Sequence, residues 1–132
     1  MESRTAEAVV KHLSTLGIVD LAEWDLLTFI YGHAASLAGT EKIAALVGYT
    51  KAMVRSTLES LTVKGLVMRS RNSRGVRLYR SVIASPGDPV RLAFDSLLEV
   101  AEDRRGRLLI AGHLRKTAGR AGLRGRNGLH LA

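Results

Sequence analysis

Along the first third of the chain, apolar residues recur every three or four positions. Ala6, Val9, Val10, Leu13 and Leu16 define one amphipathic face and predict a helix over 3–16 that Gly17 ends. Asp20 followed three residues later by Glu23 has the spacing of a capping box, with Asp in the place of Ser or Thr, and opens a second helix over 21–35. Leu21, Trp24, Leu27, Phe29, Ile30 and Tyr31 make that helix apolar over more than half its circumference, as a central core helix requires. Thr40 is a suitable cap for a short helix over 41–47 that buries Ile43, Ala44 and Leu46, and Gly48 offers the left-handed geometry that stops it. Thr50 then caps a helix from Lys51 to Lys64, ended by Gly65. Its Val54, Leu58 and Leu61, spaced by four and three, form one apolar seam and leave Lys51, Ala52, Arg55, Ser56, Glu59 and Thr62 mostly facing outward.

The period changes after Gly65. Leu66, Val67 and Met68 begin a strand, Asn72-Ser73-Arg74-Gly75 supply turn residues, and Val76 to Tyr79 alternate as a returning strand does. Ser85-Pro86-Gly87 breaks the chain. Asp88 as cap and Pro89 at the first helical position open a further helix that runs at least to Asp103, with Leu108, Leu109, Ile110 and Leu114 enough to carry it past Gly106. From Gly119 onward no apolar period remains, so 119–132 reads as a basic, Gly- and Arg-rich tail that is mobile in isolation. The pattern as a whole predicts a mainly α fold with a small β-hairpin, formed as one domain over 1–118.

Composition narrows the classes of function. With 132 residues and 46% hydrophobic content the chain can build one compact core, and a second independent domain is not expected. The absence of cysteine excludes a disulfide framework and thiolate metal sites. The N-terminus has no basic stretch leading into an apolar run, and no segment approaches the roughly 20 apolar residues that cross a bilayer, so a soluble, cytoplasmic protein with no membrane partner is expected. His12, His33, His113 and His130 lack ligand spacing to one another or to carboxylate clusters, and there is no Walker-type loop, nucleophile elbow or paired-carboxylate cleft. Neither an enzyme nor a metal or other cofactor is therefore expected. His33, near Trp24 and Tyr31, either packs at a helix end or lines an effector pocket, and nothing else supports a small-molecule effector.

The net charge of +8 is unevenly distributed. Residues 1–50 carry −3, 51–80 carry +7, 81–103 carry −4 and 104–132 carry +8. Two concentrated basic blocks between acidic ones are the footprint of a polyanion partner, because each phosphate that Lys or Arg neutralises releases condensed counterions.

Thr40-Glu-Lys-Ile-Ala-Ala-Leu-Val-Gly-Tyr-Thr50, the Val54, Leu58, Leu61 helix, Lys64-Gly65-Leu66-Val67 and the basic hairpin follow one another over about forty residues. In that order they resemble the winged helix-turn-helix families of bacterial and archaeal regulators, most closely the MarR-like group. The likeness extends more weakly over most of 5–115. It implies double-stranded DNA as partner, a reading unit over 40–80, the 51–64 helix in the major groove and a wing over 67–82 at the adjacent minor groove. Lys51, Ala52, Arg55 and Ser56 lie in the N-terminal half of that helix opposite its apolar seam and are the candidates for base edges, with Arg55 the best for a bidentate guanine contact. Thr40 and Thr50 are helix caps, phosphate donors or both. Arg69, Arg71, Arg74, Arg77 and Arg80 make the hairpin basic, and Arg71 and Arg74 sit nearest its tip.

Regulators of this kind usually pair through terminal helices, and Leu92, Leu97, Leu98, Ala101, Leu108 and Leu109 provide apolar material for a homodimer. The same residues also suit the protomer's own core. Two other functions stay open on the sequence: a winged-helix protein-interaction module in a transcription or chromosome-maintenance assembly, and a non-specific, nucleoid-associated DNA binder that works through its tail.

Overall fold

The computed structural model describes residues 6–32, 39–71, 74, 77–83 and 85–116. Among them are six helices and one two-stranded antiparallel sheet. In chain order these are α1 (Ala6–Leu16), α2 (Leu21–Gly32), α3 (Thr40–Val47), α4 (Lys51–Val63), β1 (Val67–Arg71), β2 (Arg77–Ser81), α5 (Pro89–Val100) and α6 (104–116). No helix among the described residues is long and apolar enough to cross a membrane. The described residues fall into two compact units, one within Met1–Leu21 and Gly87–Ala132, the other within Ala22–Pro86.

In the unit within Ala22–Pro86, α2 has more buried residues than α3 or α4. It buries Ala22, Trp24, Leu26, Leu27 and Ile30, while α3 contributes Ile43 and Ala44, α4 contributes Val54, Leu58 and Leu61, and the start of the hairpin contributes Leu66 and Val67. Thr50 caps α4 as its residue type predicts, its hydroxyl oxygen accepting the Met53 N–H at 3.1 Å. The other end of α4 closes in a Schellman motif: Gly65, at φ +77°, donates its N–H to the Thr62 carbonyl, and Leu66 donates to the Leu61 carbonyl, each at 3.0 Å. That turn sends the chain straight into β1. The hairpin pairs Val67 with Ser81, Met68 with Arg80, Arg69 with Tyr79, Ser70 with Leu78 and Arg71 with Arg77.

One cap differs from expectation. Thr40 is the first residue of α3 rather than its cap; Gly39, extended at φ −90°, takes the cap position, its carbonyl accepts the Ile43 N–H at 3.0 Å, and no side chain caps this end.

In the other unit α1 packs on α5. Val9, Leu13 and Leu16 of α1, Ala93, Phe94, Leu97 and Val100 of α5, and Ile110 and Leu114 of α6 are buried. Asp88 caps α5 by accepting the Val90 N–H at 2.9 Å, with Pro89 at the first helical position. The expected single helix running past Gly106 is instead two. α5 stops at Val100, and Asp103 restarts the chain as α6, its side chain accepting the Gly106 N–H at 2.7 Å and its carbonyl the Arg107 N–H. The sharp turn presses position 106 against Val100, where a Cβ would lie 1.6 Å from the Val100 carbonyl oxygen, so only glycine fits.

This unit also corrects one of the residues assigned to dimerisation. Leu97 is 0% exposed and fills the protomer's own core. Ala101, the C-terminal cap of α5, Leu98 and Leu109 are half-buried, whereas Leu92 and Leu108 remain exposed. His33, the end of the helix predicted to reach 35, and the tail over 119–132 lie outside the described residues.

Candidate nucleic-acid interface

Two polar ties fasten the α3–α4 pair to α2. At the turn before α4, the Tyr49 hydroxyl donates to Asp25 Oδ2 at 2.6 Å. At the far end, Ser60 Oγ and Lys64 Nζ both donate to Glu23 Oε2 at 2.5 Å, with Glu23 only 2% exposed. A buried carboxylate needs such partners, because removing a charge from water without them is prohibitively unfavourable. The spacing from Asp20 suggested a capping role for Glu23 and gave no sign of these partners. These ties hold α4 from both ends and fix which of its faces is left to solvent.

That face divides into an outward ridge and a flank. At about 3.6 residues per turn, the positions opposite the buried Val54, Leu58 and Leu61 are Ala52, Ser56, Glu59 and Val63, and all four are exposed. Lys51 and Arg55 stand to one side of this ridge. Lys51 pairs with Glu41 of α3 at 3.1 Å in an exposed contact that solvent weakens. Arg55 joins a surface cleft of about 830 Å³ lined by Gly39, Thr40, Glu41 and Lys42 at the start of α3 and by Arg77, Leu78 and Tyr79 of β2. Three of the residues singled out from the sequence, Thr40, Arg55 and Arg77, thus come together from three different elements. Lys42, which the sequence reading passed over, completes the basic lining. Its only signal in the sequence is its place in the first turn of α3, two residues after Thr40.

The strand register sorts the hairpin arginines. Cross-strand partners share a face, so Arg69, Arg71 and Arg77 lie on the face whose base buries Val67 and Tyr79. Arg80 lies on the opposite face with Met68, donating to its Sδ at 3.3 Å. Arg74 is exposed at the turn. Arg71 and Arg77 are direct cross-strand partners, an arrangement of like charges that destabilises a hairpin standing alone. No acid occurs between Glu59 and Asp88 to relieve it. Among the described residues Arg55, Arg69, Arg71 and Arg77 make no ion pair, and no group of acidic or histidine side chains is arranged to hold a metal. Concentrated, exposed and uncompensated cations of this kind attract an extended polyanion.

Family models, curated proteins and solved structures were all searched, and none matches this chain.

Proposed function

We propose that this chain is a winged helix-turn-helix protein that binds double-stranded DNA with sequence specificity, as a homodimer and a transcriptional regulator. The observation that carries the proposal is the convergence of Thr40, Lys42, Arg55 and Arg77 on one cleft, beside an exposed α4 and a hairpin whose Arg71 and Arg77 face each other without an acid. A helix of this diameter fits the major groove, and α3 braces it against the backbone. The arginines of the hairpin then lie at the adjacent minor groove, where negative potential is concentrated.

A second copy of the chain is the partner proposed for α6. Leu108 is 57% exposed and lines a groove with Ala6, Val9 and Val10 of α1 and with Leu109, Gly112, His113 and Lys116 of α6, and a two-fold partner would cover its apolar part. Such pairing presents two reading helices to a near-palindromic site.

The test is selection of bound sequences from a random duplex pool by the purified chain, at about 50 mM and about 200 mM salt. A two-fold symmetric motif with steep loss of affinity at the higher salt is the expected result. Retention without an enriched motif, or no retention, overturns sequence-specific regulation.

A further inference from the structure

We infer that Glu59 is a specificity-determining residue that accepts a hydrogen bond from the exocyclic amine of a cytosine in the major groove, an assignment that rests on the duplex-reading function proposed above. If α4 enters the groove, the ridge opposite its buried seam meets the base edges. That ridge is Ala52, Ser56, Glu59 and Val63, and its only charged member is an acid. The cations stand aside: Lys51 is paired with Glu41, and Arg55 lines the cleft with Arg77, where a backbone phosphate suits it better than a base. Glu59 is also the only acid between Glu41 and Asp88, within the block of net charge +7. Although Arg55 stands four residues before it, the Glu59 side chain makes no ion pair or hydrogen bond among the described residues. Packing and local pairing therefore do not account for it.

A carboxylate on a phosphate-facing surface weakens every non-specific complex by like-charge repulsion, so its contribution to binding is discrimination. Base-edge chemistry selects the occupant. An ionised carboxylate only accepts hydrogen bonds. Guanine presents two acceptors, N7 and O6, and thymine an acceptor and a methyl group, so both repel it or leave it unsatisfied. Adenine places its amine beside the N7 acceptor. Cytosine alone offers an amine, N4, and no acceptor of its own in the major groove. The exposed Ala52 and Val63 on either side of Glu59 along the ridge suit thymine methyl groups.

The experiment is selection from a random duplex pool by the full chain and by its Glu59→Gln and Glu59→Ala variants, with thermal melts to confirm equal folding. The parent is expected to prefer cytosine at one position of each half-site, by about tenfold over the other bases. Glu59→Ala loses preference at that position alone. Glu59→Gln moves it to adenine, whose N6 and N7 match a carboxamide. Both variants bind arbitrary duplex several-fold more tightly than the parent. Identical motifs and identical base discrimination in all three proteins overturn the role of Glu59 while leaving DNA reading intact. A parent that selects no motif overturns DNA reading itself, and this role with it.

Discussion

A side chain at position 106 has nowhere to go, because any Cβ meets the Val100 carbonyl oxygen. Gly106→Ala must therefore push α6 away from the end of α5, and a loss of at least about 3 kcal/mol is expected in chemical denaturation followed by circular dichroism. Glu23 sets a second test at this scale. Glu23→Ala strips Ser60 and the half-buried Lys64 of their common acceptor and should lower stability by about 3 kcal/mol, whereas Glu23→Leu combined with Lys64→Leu should recover most of that loss. A double variant as unstable as Glu23→Ala would mean that the pair is not the source of the effect. Thr50 is a milder case. Losing its bond to the Met53 N–H removes one cap, and Thr50→Ala is expected to lower the urea midpoint by an amount equivalent to about 1 kcal/mol.

At the scale of elements, the hairpin sets stability against the proposed binding of DNA. Arg71 opposite Arg77 is unfavourable within the sheet, so Arg71→Glu replaces a repulsive cross-strand pair by an attractive one. The melting temperature of this variant is expected to stay level or rise slightly. Its affinity for duplex DNA should fall at least about tenfold near 0.1 M salt, with a shallower salt dependence, as measured by fluorescence anisotropy. Undiminished affinity would remove the hairpin from the proposed interface. Helix α4 carries a complementary lesson. Its seam of Val54, Leu58 and Leu61 was legible in the sequence, and all three are buried. Which of its exposed residues meet α3 and the hairpin, as Lys51 meets Glu41 and Arg55 lines a cleft with Arg77, was not, because that depends on where those elements lie around the helix.

For the whole molecule, the testable expectation concerns assembly. Leu108 and Leu109 present an apolar surface on α6, and Leu108→Glu places a charge in its middle. If a second copy covers this surface, sedimentation velocity should show the parent as a dimer and the variant as a monomer, with weaker binding to a palindromic duplex. A parent that sediments as a monomer at micromolar concentration would remove the dimer from the proposal.

The sequence by itself determined most of the elements, because helix periodicity, caps and turn glycines are short-range signals. Thr50, Gly65, Asp88 and Pro89 act where their residue types predict. It also determined the concentration of cations over 51–80, which requires no fold to count. Only the tertiary structure decided that Asp103 starts a separate helix, that Leu97 faces inward, that Glu23 is the buried acceptor for Ser60 and Lys64, and that Thr40, Lys42, Arg55 and Arg77 share one cleft. The reason is physical. Periodicity says that a residue is on an apolar or polar face, but which neighbour that face meets is set by contacts between residues far apart in the chain, and those exist only once the core has packed.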